Sequence, residues 1–335
     1  MGRLAVTAGL PSRLALYAGM VVASLSLAAP CVGQQAAKQV RIGYLTPVAQ
    51  PDREAALRRE LRRFGYVDGG NVTIEYRSAE GSFDRLPALA RQLAELKVDV
   101  MLAVVTQAAI AARNATGTIP IVMVGVADPV GAGLVASLAR PGGNVTGTST
   151  VAADVVGKQL EVLRELLPTA VRVTVLSNPA NPVFQKRQMA ETIKAARKLQ
   201  VEFRVVEMQA ADGLERAFAA ITTQRTDALF VMGDPLFTAE FARIAALAVK
   251  HRLPTIGAAA ENAVAGALIT YGPDYAEAYR RAAWYVGRIL GGERPGALPV
   301  EQSTKFELVV NARTAKAIGV AIPRSLVARA DRVLE

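Results

Sequence analysis

One cysteine and one histidine, Cys31 and His251, are all that 335 residues contain of either type. No disulfide, no CxxC redox pair and no Cys/His zinc cluster can be assembled from that stock within one chain. His251 stands in the run Val-Lys-His-Arg-Leu-Pro, at the expected end of a helix where a cation is favoured by the dipole, so it reads as a cap and not as a catalytic base. A concentrated basic surface is also missing. The densest cluster, Arg58, Arg59, Arg62 and Arg63, is interleaved with Glu54 and Glu60, the pattern of a solvated helix face, and no nucleic-acid partner is expected. Past the first 35 residues, no run is apolar enough to span a bilayer.

The N-terminus carries an address. Residues 1–35 hold Arg3 and Arg13, then an uncharged stretch from Leu14 to Pro30 rich in Leu, Ala, Val, Gly and Ser, then small residues around Cys31. This is the layout of a secretory signal peptide that is removed on export, which places the mature protein in the periplasm. Leu27-Ala28-Ala29-Pro30-Cys31 is similar to a lipoprotein box, with Pro30 where a small residue other than proline is expected; a lipid on Cys31 is the alternative to simple cleavage. Without Arg3 and Arg13 the chain keeps 37 basic against 29 acidic residues, an excess that is spread out.

With 51% hydrophobic residues, the remaining length is enough for two domains with separate cores. From Val40 onward short β-branched runs alternate with amphipathic stretches. Strands are expected at Val40 to Leu45, Val72 to Tyr76, Val98 to Val105, Ile119 to Val126, Val171 to Leu176, Val201 to Glu207, Asp227 to Met232 and Thr255-Ile256. Helices are expected where apolar residues recur every three or four positions, as in Leu86, Leu89, Leu93, Leu96 and in Tyr275, Tyr279, Ala282, Val286, Ile289. Such alternation implies parallel sheets covered on both faces. The pattern runs twice: Val40-Arg41-Ile42 is echoed by Val171-Arg172-Val173, Asp99 by Asp227, and Ile119-Pro120 by Leu253-Pro254, at offsets of 131, 128 and 134. The expected fold class is α/β, two doubly wound parallel-sheet lobes joined by a multi-strand hinge. After the signal peptide, lobe I takes 38–147 plus 272–297, and lobe II takes 148–271 plus 298–335. Ligands of such folds sit at the carboxyl ends of the strands.

Several blocks resemble one known family. Arg41-Ile42-Gly43-Tyr44-Leu45, Phe64-Gly65-Tyr66-Val67, Asn71 to Arg77, Asn178-Pro179-Ala180-Asn181-Pro182, Ile322 to Leu326 and above all Val122 to Ser149, VMVGVADPVGAGLVASLARPGGNVTGTS, are similar to the ABC transporter substrate-binding proteins that include tryptophan- and tyrosine-binding receptors. The resemblance covers nearly the whole mature chain. It implies a type I periplasmic-binding-protein fold, a small ligand such as an amino acid held between lobes that close on it, an ABC permease as membrane partner, no catalysis and no cofactor, and a protein that is monomeric when free.

Position in the chain nominates the candidate contacts. Thr106 and Gln107 open a helix after a strand, where free backbone N–H groups can meet a ligand carboxylate or a threonine simply caps the helix. Asp128 and Asp234 precede Pro129 and Pro235 after equivalent strands in the two halves and can meet an ammonium group or cap the next segment of chain. Asn178 and Asn181 can orient a polar ligand or make turns. Thr46, Thr148, Glu261 and Tyr271 are further candidates, and Tyr44, Phe184, Phe237 or Tyr271 would stack on an aromatic ligand. Gly131-Ala132-Gly133-Leu134-Val135-Ala136 has the spacing of a dinucleotide fingerprint, with Asp154 downstream. Ala127 to Val130 separate it from its strand and Arg140-Pro141-Gly142-Gly143 cuts short any helix after it. The alternatives to solute capture are a two-lobed nucleotide- or dinucleotide-binding enzyme and a ligand sensor for a membrane receptor.

Overall fold

The computed structural model describes residues 39–151 and 155–335; the expected signal peptide, Cys31 and Asp154 lie outside the described residues. The first half runs β1 (Val40–Thr46), α1 (Pro51–Arg63), β2 (Val72–Ser78), α2 (Leu86–Glu95), β3 (Val100–Val104), α3 (Val105–Ala115), β4 (Ile121–Ala127) and β5 (Val145–Thr150). The second runs α4 (Val156–Leu166), β6 (Arg172–Ser177), α5 (Pro182–Leu199), β7 (Glu202–Glu207), α6 (Leu214–Thr223), β8 (Ala228–Val231), α7 (Pro235–Ala239), α8 (Phe241–Lys250), β9 (Thr255–Gly257), α9 (Ala260–Val264) and β10 (Ile269–Pro273). Then come α10 (Tyr275–Leu290), β11 (Glu301–Gln302), β12 (Phe306–Asn311), α11 (Ala312–Ile318), α12 (Arg324–Arg329) and β13 (Arg332–Leu334).

Two sheets result, in the orders β11-β5-β4-β3-β1-β2 and β13-β12-β10-β9-β8-β6-β7. Stripped of β11 to β13, both read second-first-third-fourth-fifth within their own half, and every one of those pairings is parallel. The duplication seen in the sequence is therefore a duplication of topology. Its echoed residues do the same work twice. The carboxylate of Asp99 accepts from Arg41 N at 2.8 Å, and that of Asp227 from Arg172 N at 2.9 Å. Pro120 and Pro254 offer their carbonyls to Met101 N and Leu229 N, both at 2.8 Å. Each half thus ties its first strand to its third, and its third to its fourth, at the amino end.

Strands buried on both faces need apolar residues throughout, and β3 and β8 are buried at every position. Tyr279, Ala282, Ala283 and Val286 of α10 join Leu57 and Leu61 of α1 in the core on one side of the first sheet. The chain passes between sheets three times, after Thr150, between Pro273 and Tyr275, and between Gln302 and Phe306. β11 pairs parallel with β5 in the first sheet, whereas β12 runs antiparallel to β10 in the second. These crossings are the hinge.

Among the elements that differ from the sequence expectation or are absent from it, three border the cavity. Val105 is not the last strand residue: it opens α3 with φ +64, a left-handed conformation that a β-branched residue adopts only at a cost. β5 is written Val-Thr-Gly-Thr-Ser-Thr and has no apolar run, yet every position is buried. Two of its hydroxyls pair: Thr146 Oγ1 donates to Leu298 O at 2.6 Å, and Thr148 Oγ1 accepts from Gly125 N at 3.0 Å, while Ser149 Oγ is buried without a partner. The second bond sits at a register shift between β4 and β5, where Gly125 has φ +63. α5 is hidden in the sequence because its buried face is Gln185, Gln188, Thr192, Ala195 and Ala196, with no hydrophobic stripe to read.

The β4–β5 irregularity gives a test. Gly147 has φ +127, and a Cβ there would lie 2.2 Å from Met123 O across the ladder. Gly147→Ala should cost about 2 kcal/mol or more, read as a lower midpoint in urea denaturation.

Candidate functional site

Both sheets point their carboxyl ends at one cavity. Arg53 of α1, Thr106 and Gln107 of α3, and Gly125 and Ala127 of β4 line it from the first lobe. Asn181, Phe184, Gly233, Asp234 and Ala258 line it from the second, and Thr150 and Tyr275 from the crossings. The bulge in β4 matters here, since it brings the backbone of Gly125 to the wall.

Asp234 is the centre of the second-lobe wall. Asn-Pro-Ala-Asn-Pro ends β6 and starts α5 with Pro182 in its first turn, because proline has no N–H to lose at a helix start. Asp-Pro does the same at α7. These two helix starts bring Asn178 Nδ2 to 3.0 Å from one Asp234 oxygen and Asn181 Nδ2 to 2.8 Å from the other. Leu236 N donates at 2.9 Å and Gln185 Nε2 lies at 3.5 Å. Asp234 is only 4% exposed, and these donors are all neutral, with no lysine or arginine among them. Burial pushes its carboxyl above the ordinary value, and the surrounding donors pull it only part of the way back.

Arg53 dominates the opposite wall. Its Nε donates to Glu261 of α9 at 2.9 Å and its Nη1 to Gln50 Oε1 at 2.8 Å. Its guanidinium lies 4.3 Å over the Tyr275 ring. The remaining nitrogen, Nη2, is buried without a partner. Burial works against the charge of Arg53, but Glu261 and the surrounding groups raise its pKa above the ordinary value. Beside it α3 begins with no side-chain cap. Gln107 donates through Nε2 to Asn181 Oδ1 across the cleft, leaving its own Oε1 unpartnered. The first-lobe wall thus holds an unused guanidinium N–H and an unpaired amide oxygen, and the second-lobe wall a carboxylate.

Of the residues expected from sequence, Thr106, Gln107, Asn181 and Asp234 meet at this cavity, with Asn178 directly behind Asp234. Thr106 also accepts from Ala127 N at 3.1 Å through its hydroxyl. Glu261 acts through Arg53, and Thr148 through Gly125. Thr46 is buried and donates to Val48 O at 2.7 Å. Asp128 and Tyr271 lie elsewhere. Asp128 is exposed, with φ +44, and accepts from Gly131 N at 2.9 Å; no helix starts after it, and Gly131 to Ala136 run through turns, so the dinucleotide-type spacing leads into no helix. Tyr271 stacks on Phe306 with centroids 6.1 Å apart. Of the proposed stacking residues Phe184 lines the cavity, while Tyr44 stacks on Tyr76 at 5.2 Å and Phe237 is buried in the core. Arg53 and Tyr275 also line the cavity, and the sequence does not single them out. Arg53 falls in the arginine-rich α1, and nothing in the sequence separates it from its exposed neighbours. Among the described residues no cluster of metal-ligating side chains occurs, and no helix is long and apolar enough to cross a membrane.

Comparison with known proteins agrees with this geometry. Residues 47–334 match the family described as ABC transporter substrate binding protein. A tyrosine-binding protein of Clostridioides difficile is 31% identical over 284 residues, 84% of this chain and 81% of that one. A Streptococcus pneumonia ABC domain in complex with L-Trp superposes with a TM-score of 0.78 at 25% identity, covering 88% of this chain and all of the other. The ligand-free, open structure of a substrate binding protein with adhesive properties from Clostridium difficile gives 0.60 at 27% identity, over 88% of this chain and 99% of that chain. At nearly equal identity and coverage, the present lobes match the ligand-bound arrangement better than the open one. The lobes are doubly wound, the hinge is threefold and the match spans most of the length, so this chain belongs to the ABC transporter substrate-binding protein family.

Proposed function

We propose that this protein captures an amino acid, preferably an aromatic one, in the cleft between its lobes outside the cytoplasm and delivers it unchanged to an ABC permease. The observation that carries the ligand assignment is Asp234: a carboxylate buried among neutral donors, on the wall of a cavity, with no cation among its hydrogen-bond partners in the described residues. An ionised carboxylate so placed costs several kcal/mol, on the order of the penalties known for buried unpaired ions. An α-ammonium group supplies what is missing. Phe184 and Tyr275 offer ring surface to the ligand's side chain, and the relatives that bind tyrosine and L-Trp support that choice. The N-terminal signal pattern supports release into the periplasm, with lipidation at Cys31 as the variant of the same address. Binding to a monomer, with no turnover and no nucleic acid, completes the reading.

Thermal-shift screening of the mature protein against amino acids, sugars and nucleosides should show its largest stabilisation with L-tyrosine or L-tryptophan, growing with the logarithm of concentration. A response to sugars alone would contradict the proposal. Asp234→Asn should weaken amino-acid binding about 100-fold, as loss of one member of a buried charge pair does, with little change for a deaminated analogue.

The raised pKa of Asp234 sets a pH dependence. A folded-state pKa above the unfolded one contributes stability at low pH that is lost as pH rises through the folded value. The ligand's ammonium favours the ionised form, so binding should release protons between the ordinary carboxylate range and that raised value. Affinity should fall as the pH drops through the same window. Calorimetry in two buffers of different ionisation enthalpy checks this, and Asp234→Asn should abolish the proton release.

A further inference from the structure

Resting on the amino-acid reading above, we infer that Arg53 is the residue that reads the ligand's carboxylate, and that it does so only once the lobes have closed. Arg53 is 8% exposed, and three of its four recognition surfaces are occupied. Nε holds Glu261 of the second lobe, Nη1 holds Gln50 of the first, and the guanidinium face rests on Tyr275 at the crossing. Only Nη2 is left, a charged donor with no acceptor, on a residue that lines the cavity. A buried guanidinium N–H without a partner is costly, and a carboxylate is the acceptor that matches its geometry and charge best.

Two neighbours fix the direction in which such a ligand lies. The uncapped start of α3 brings Thr106 and Gln107 to the same wall, so backbone N–H groups and the positive end of the helix dipole add to the field of Arg53. Asp234 occupies the facing wall. A zwitterion therefore lies with its carboxylate toward the first lobe and its ammonium toward the second, bridging both. Glu261 makes this conditional on closure. It belongs to α9 in the second lobe and fixes the guanidinium from across the cleft, so an open protein holds Arg53 by Gln50 and Tyr275 alone. Glu261 is a positioning residue, whereas Arg53 touches the ligand.

The experiment compares paired probes by calorimetry: L-tyrosine with tyramine, and L-tryptophan with tryptamine, each pair differing by the carboxylate. The wild-type protein should prefer each amino acid over its amine by about 100-fold or more. In Arg53→Gln that preference should shrink to less than about tenfold, while amine binding falls by about the factor seen in Glu261→Gln, since both variants lose the same contact between the lobes. Glu261→Gln should instead weaken both members of a pair by a similar factor and leave their ratio intact. An Arg53→Gln protein that still binds the amines and keeps the full carboxylate preference would overturn the assignment while leaving amino-acid capture standing. A wild-type protein that binds neither amino acid would overturn amino-acid capture itself and this inference with it.

Discussion

A carboxylate removed from water has to be given charge or donors in return, and most of the cleft is arranged around meeting that demand at Asp234. Asn178, Asn181, Gln185 and the backbone of Leu236 supply donors, none of which is a cation. In the proposed reading that residual deficit sets the selectivity: a neutral sugar would leave it uncorrected, whereas a primary ammonium group would correct it. The same low-dielectric surroundings that raise the carboxyl's pKa strengthen any charge pair formed there.

The fold brings that carboxylate opposite a matching cation. Each half ends its strands at the cleft with a short turn into a helix, and the parallel order second-first-third-fourth-fifth repeats in both. Lobe I contributes Arg53 and the opening of α3; lobe II contributes Asp234 and the openings of α5 and α7. Polar contacts between the lobes, Arg53 with Glu261 and Gln107 with Asn181, use residues that also line the cavity or brace its lining. In the proposed reading closure and ligand recognition share the same groups, and a ligand's differential affinity for the closed arrangement shifts the population toward it. Val105, held at φ +64 where α3 meets the cavity, shows that local strain is tolerated where the site demands a particular backbone direction.

Much of this is legible in the residues. The echo of Asp99 by Asp227 and of Pro120 by Pro254 marks the duplication, and the structure shows why those residues recur: they tie equivalent strands at equivalent points. Asp-Pro and Asn-Pro pairs mark helix starts, and that signal singles out Asp234 and Asn181. The same logic points to Asp128, whose carboxylate instead caps a turn on the surface, because no helix begins there. β5 and α5 escape a reading by hydrophobic pattern because polar and small side chains, not an apolar stripe, make up their buried faces. Arg53 escapes for a related reason. A charged residue on a charged helix looks solvated until the tertiary fold brings Glu261 from 208 residues away to meet it.

In the proposed reading, capture depends on a ligand cation completing the environment of Asp234 inside a closed cleft. The most direct measurement is a crystal structure of the mature protein grown with L-tyrosine, at a resolution that orients the bound molecule. The predicted result is closed lobes with the ligand's ammonium within hydrogen-bonding distance of Asp234. A bound ligand whose amino group lies away from Asp234, with that carboxylate met by water alone, would contradict it.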